Sequence, residues 1–306
     1  MTSVAPAVKS PSGGHSSAVP AVLLAVVAWG IGPLLVRGMT VSGYSVALYR
    51  MWLGVPAMMI AARIWGRPLT MAVIRRCIFP GVFFGASMLM GFVSIRTTSI
   101  ANATLIGALS PALILLGANR FVGERSDPAK IPAALVAFAG LALVVLYGSD
   151  TSGASLRGDL WAIANLVCFT IYFMNLKVQR NDDVDGWSFL AGVFFVGAVV
   201  ITPFCLFWSS DLGEVQIRDG VLLLAMVVGP GFIGHGLITW ASRHLPVSST
   251  SLLTLGSPVV SCLGAWVVYD QGLAGWQIVG AILVIGGLMA STWDRSRSGP
   301  VSELVG

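Results

Sequence analysis

Ten mostly apolar stretches, each about long enough to cross a bilayer, constrain this chain more than any other feature: residues 19–37, 44–62, 78–95, 99–119, 129–147, 160–176, 187–208, 221–241, 247–269 and 275–293. Crossing about 30 Å of hydrocarbon at 1.5 Å per residue takes roughly 20 residues, and inside lipid a helix is the simplest way to satisfy every backbone N–H and C=O. A membrane β-barrel would show alternating segments of about 10 residues, and these runs are continuous. Only 10% of the 306 residues are charged and 56% are hydrophobic, whereas a soluble domain carries about 25% charged residues. That balance excludes a soluble enzyme, a disordered chain, a disulfide scaffold and a nucleic-acid binder. The expectation is an all-α polytopic membrane protein with ten transmembrane helices, whose partners are the lipid bilayer and a small solute.

Residues 1–18 are rich in Ser, Pro, Ala and Gly and read as a disordered tail, and a second polar tail covers 294–306. The first run is too long for a signal-peptide core and nine more follow, so it is expected to be retained. With ten spans and a cytoplasmic N-terminus, thirteen Lys and Arg fall on the inner side, among them Arg63, Arg67, Arg75 and Arg76. Four fall outside: Arg37, Arg96, Arg157 and Arg218. This bias places both termini in the cytoplasm of a cell membrane.

Sliding the chain by 147 residues lays 95–141 on 242–288 without a gap, and 11 of the 47 positions match, including Arg96/Arg243, Ser110-Pro111/Ser257-Pro258 and Gly140/Gly287. A slide of 140 sets Trp29…Arg37 on Phe169…Lys177. The chain therefore divides into two five-span repeats, 19–148 and 149–293, and an odd number of spans per repeat makes them inverted. Such pairs typically hold a substrate between halves that rock against each other.

The residues that carry a family resemblance are Trp29-Gly30 with Arg37, Tyr49-Arg50, Ser99-Ile100-Ala101-Asn102-Ala103, Leu109-Ser110-Pro111, Gly123-Glu124-Arg125, and in the second half Ser257-Pro258 and Gly286-Gly287. In these the chain resembles the drug/metabolite transporter superfamily, in its EamA-like ten-helix branch, over roughly residues 19–293. It departs where the family often shows Gly-Glu and this chain has Asp270-Gln271. The resemblance implies a secondary transporter, an exporter of a small organic metabolite such as an amino acid, and no enzymatic activity.

Two ionisable residues stand clearly inside spans, Arg50 and His235, and no Asp or Glu does. A charge at the bilayer centre costs at least about 2.5–3.5 kcal/mol, which makes each a functional candidate. Arg50 reads as a forked anchor for a substrate carboxylate or phosphate, or as a side chain snorkelling to the headgroups or bonding a neighbouring helix. His235 reads as a proton acceptor, or as a neutral donor in a packed helix pair. Trp29, Tyr49, Asn102, Asn165, Tyr172, Asn175 and Trp240 can line a cavity; singly, each also fits an interfacial anchor or an interhelical hydrogen bond.

Gly32-Pro33, Pro111, Pro230 and Pro258 interrupt four spans and are candidate hinges or gates, or static bends. The small-xxx-small spacing Gly81…Gly85 predicts a close helix contact. Cys77, Cys168, Cys205 and Cys262 form no CxxC pair, and no phosphate-binding loop is present, so neither a metal, a cofactor nor ATP is expected. The rival classes are a membrane-embedded lipid-modifying enzyme, which needs clustered acids, bases or metal ligands, and a channel, which needs a polar stripe along one helix.

Overall fold

The computed structural model describes residues 15–110, 113, 131–147, 153–179, 184–241, 254 and 256–292, and among these the regular structure is entirely helical. The first half holds α1 (His15–Gly38), α2 (Gly43–Trp65), α3 (Met71–Thr97), α4 (Ile100–Gly107) and α5 (Ile131–Tyr147). The second holds α6 (Leu156–Gln179), α7 (Gly186–Trp208), α8 (Ile217–Met226), a π-helical stretch Val227–Gly234, α9 (His235–Ala241), α10 (Gly256–Tyr269) and α11 (Gly275–Thr292). Among the described residues five helical segments are long and apolar enough to cross a membrane: Ala18–Gly38, Gly43–Trp65, Met71–Thr97, Gly186–Trp208 and Ile217–Ile238.

The helix boundaries have local causes. Ser42, Thr70, Ser99 and Asp185 stand at the N-caps of α2, α3, α4 and α7 and accept from backbone N–H groups of the first turn, which have no partner inside the helix. Pro230 has no N–H to offer the carbonyl one α-turn back, and around it the helix widens to the π pattern. α1 runs on through Pro33 without interruption. Asp270 ends α10 with φ at 57°, a left-handed conformation that Asp tolerates better than most side chains and glycine best.

Outward faces are greasy. Phe207 and Val267 are each 79% exposed, and Ile60, Ile64 and Trp266 also point away from the bundle, an exterior suited to lipid tails and not to water. Lipid removes the hydrophobic drive between helices, so they are held by close packing and hydrogen bonds. α3 lies against α6 and α7, α2 against α7, α1 against α10 and the π stretch, α4 against α6 and α10, and α5 against α11. At the α3–α7 crossing a Cβ on Gly85 would sit 2.7 Å from Gly197 Cα, and one on Gly81 2.6 Å from Val196 Cβ. The Gly81…Gly85 spacing is the close contact expected of it.

Candidate functional site

Two adjoining hollows of about 300 and 190 Å³ lie between the halves and share Trp29, Pro33, Met88, Gly91, Asn165 and Phe169. The larger extends along Thr104 and Ser110 of the first half and Ser257, Pro258 and Ser261 of the second. The smaller reaches Arg50, Ser87, Pro230 and His235. Small residues make the room. A Cβ on Gly234 would collide with the Trp29 indole, and one on Gly91 would meet the Asn165 amide at 3.2 Å. Trp29 Nε1 donates to the Pro230 carbonyl at 3.1 Å. That bond holds the indole inside the bundle, as a cavity-lining side chain and not an interfacial anchor.

Arg50 is 3% exposed, so its side chain turns into the bundle. Its guanidinium carbon lies 5.4 Å from the Phe92 ring centre and 5.9 Å from that of Phe194, and Nη1 reaches Met88 Sδ at 3.5 Å. A sulfur is a weak acceptor, ring faces offset only part of the charge, and Nε has no partner. The Ser87 and Ser94 hydroxyls are likewise buried without a partner. Among the described residues, the three with such atoms all border the hollows. The His235 ring packs 5.1 Å from Trp29, 5.9 Å from Phe84 and 6.3 Å from Phe194.

Of the residues singled out from sequence, the cavity gathers Trp29, Arg50, Asn165 and His235, with Gly32, Pro33, Pro230 and Pro258. The others lie elsewhere. Tyr49 donates to the Leu212 carbonyl at 2.5 Å, beyond the end of α7. Asn102 donates to Asp159 at 3.0 Å and accepts from Gln277 at 2.8 Å. Tyr172 is core, 4.8 Å from Phe84. Asn175 bonds back to the Ile171 carbonyl of its own helix, and Trp240 is 40% exposed. Pro111 lies outside the described residues.

Sequence reasoning missed Ser87, Ser94, Gly91 and Phe169 as lining residues; of these only Phe169 had a signal, its repeat match to Trp29. It also placed every acid outside the helices. α6 and α8 begin before their apolar runs, so Asp159 and Asp219 fall in first turns, where the helix dipole favours a carboxylate. Asp159 accepts from Thr98 and Asn102, and Asp219 from the Thr40 N–H and hydroxyl. In the α7–α8 link, Asp211 accepts from Ser42, Ser45 and Ser209. Burial pushes the Asp211 carboxyl up, but the Ser45, Ser209 and Ser42 donors outweigh it and hold it at about 2. Arg37 donates to the Ile95, Arg96 and Thr98 carbonyls, and Arg96 to those of Arg37 and Met39. All these contacts lie at one end of the bundle, the end of the α1–α2 and α7–α8 links.

Among the described residues no three His, Cys, Asp or Glu side chains come together as a metal site would need. A helical bundle with a lipid-facing exterior and a solute-sized cavity walled by both halves belongs to the class of multi-pass membrane transporters. The chain is a member of the EamA-like transporter family, whose pattern matches residues 16–146 and again 156–293. It is 27% identical over 214 residues to the uncharacterized transporter YyaM of Bacillus subtilis, covering 68% of this chain and 69% of that one. It is 22% identical over 234 residues to the threonine/homoserine exporter RhtA of Salmonella typhimurium, covering 74% of each. A crystal structure superposes with a TM-score of 0.65 at 22% identity, over 91% of this chain and 98% of its own, a likeness of fold.

Proposed function

We propose that this protein is a secondary carrier that exports a small organic metabolite across the cytoplasmic membrane by alternating access, with ten spans in two inverted repeats. One observation carries the reading: repeat-equivalent residues face one another across a single cavity. Trp29 and Phe169 both line it, as do Ser110 and Ser257. Exchanging the halves also maps several of the helix contacts onto one another. The α1–α10 contact becomes α6–α4, the contact of α1 with the π stretch becomes α6–α3, and the α2–α7 and α5–α11 contacts return to themselves. Two interlocked, interchangeable halves can tilt about a shared cavity and expose it to either side in turn.

The end that holds Asp159, Asp211 and Asp219 is the outer one by the distribution of basic residues, and its hydrogen bonds close it. Opening outward requires those bonds to part, and closing the opposite face supplies the compensation. The export of amino acids named for the Salmonella relative makes an amino acid one candidate cargo.

The test is counterflow. Proteoliposomes holding the purified chain are loaded with one unlabelled solute from a panel of threonine, homoserine and small organic acids, and entry of the same labelled solute is followed. A carrier accelerates entry when the solute is present inside. A channel shows flux without such stimulation, and that outcome would sink the proposal.

A further inference from the structure

We infer that the cavity selects a net-anionic organic solute, a monocarboxylate with an apolar body and no ammonium group. The inference rests on the carrier reading above for its physiological meaning, but the binding it describes stands on the site alone.

Arg50 is a guanidinium with five N–H donors, 3% exposed, and among the described residues it has no acidic partner. What surrounds it is a thioether and two ring faces. A cation kept in such surroundings with Nε unsatisfied is costly, and it is the kind of group a bound anion completes. Ser87, 0% exposed, borders the same hollow and adds a hydroxyl with no partner. Ser94, 1% exposed, does the same in the adjoining one. Three buried side chains therefore hold donor capacity in reserve around one cavity.

The other half of the argument is what lines the cavity besides. Its polar lining is hydroxyl and amide groups, the guanidinium and an imidazole, and among the described residues no Asp or Glu borders either hollow. A zwitterionic amino acid would bring its ammonium to within a few ångströms of Arg50 without a carboxylate to receive it, and like charges in a poorly screened cavity repel. A carboxylate without the ammonium gains the charge-assisted bonds and avoids that repulsion. Phe169 and Phe173 supply an apolar wall for the remainder of the molecule.

The test is a charge ladder on one skeleton: 3-phenylpropionate, phenylalanine and phenethylamine, with inorganic phosphate as an anion lacking the body. Each is added at millimolar concentration to the purified chain in detergent, and thermal stabilisation reports binding, since a ligand of the folded state raises the unfolding temperature. 3-Phenylpropionate is expected to stabilise most, with phenylalanine and phosphate at least about tenfold weaker and phenethylamine without effect. Arg50→Ala should weaken 3-phenylpropionate by about 10- to 150-fold, and Arg50→Lys should recover part of it, because an ammonium cannot form the paired bonds of the planar fork. If Arg50→Ala does not fold, Ser87→Ala, a small and nearly isosteric change, should still cost about 2- to 10-fold. Equal or tighter binding of phenylalanine, phenethylamine or phosphate, or binding of none of the four, overturns the inference. Counterflow separates this from the carrier reading. Preferential binding without counterflow leaves the anion site standing and removes the carrier, whereas counterflow without preference for the anion does the reverse.

Discussion

At the scale of single residues, the buried and end-capping polar groups are the informative ones, and they sort by whether the protein itself satisfies them. Asp211 is fully satisfied. It accepts from the hydroxyls of Ser42, Ser45 and Ser209 and from the Ser42 N–H, and so ties the start of α2 to the α7–α8 link. Its carboxyl is held at about 2, below its unfolded value near 3.9. A depressed folded value means that the stability it contributes is complete above about pH 4 and drains away as pH falls toward 2. Asp211→Asn should therefore unfold at a lower temperature than the unmutated chain at neutral pH, with the gap narrowing between about pH 4 and 2. Paired thermal unfolding curves in detergent across that range check it; a gap independent of pH would mean that the carboxylate charge contributes nothing. Arg50 and His235 were legible in the sequence because ionisable groups inside apolar runs stand out. Ser87 and Ser94 were not, because a serine in a membrane helix most often bonds its own backbone, and only coordinates reveal that these two do not.

At the scale of helices, the apolar runs match the five long apolar helices among the described residues, because backbone satisfaction in lipid leaves little choice beyond a helix. The 44–62 run became Gly43–Trp65 and the 187–208 run Gly186–Trp208, and α6 and α8 gained a polar first turn that hydropathy alone cannot see. The π stretch was legible only as a Gly-Pro-Gly interruption, since the way a helix reroutes around a missing N–H depends on its neighbours. Glycines at crossings make this scale testable. Gly85 meets the Gly197 backbone, and a Cβ there has nowhere to go without moving α3 from α7. Gly85→Ala should cost about 1–3 kcal/mol. Gly220, early in α8, has nothing within 4 Å of a built Cβ, and Gly220→Ala should gain roughly 0.5–1 kcal/mol from backbone entropy alone. Thermal unfolding of the two variants beside the unmutated chain should thus move in opposite directions. A loss at Gly220 as large as at Gly85 would show that close packing is not what Gly85 supplies.

For the whole molecule, the deciding quantity is parity. Between the α2–α3 link and the α7–α8 link the ten-span reading counts five crossings, α3 to α7, so the two links must lie on opposite sides of the membrane. α4 is the critical element, because its described part is eight residues, Ile100–Gly107, too short to span by itself at 1.5 Å per residue. Were that region to turn back within the bilayer, the crossings would number four and both links would face the same side. The repeat argues that it crosses, since Ser110-Pro111 aligns with Ser257-Pro258 in the equivalent second-half span. On that reading the positive-inside rule gives the α2–α3 link, with Arg63, Arg67, Arg75 and Arg76 gathered around it, as the expected inner side. Two positions read this out. Pro68 in the α2–α3 link is exposed, and Gly213 in the α7–α8 link has open space around a built Cβ. In a background with Cys77, Cys168, Cys205 and Cys262 replaced, Gly213→Cys should react with an impermeant thiol reagent in intact cells, and Pro68→Cys only after permeabilisation. Labelling of both in intact cells, or of neither, would break the parity and with it the inverted repeat. Labelling of Pro68→Cys alone would keep the repeat and reverse the orientation, which would turn the end closed by Asp159, Asp211 and Asp219 toward the cytoplasm.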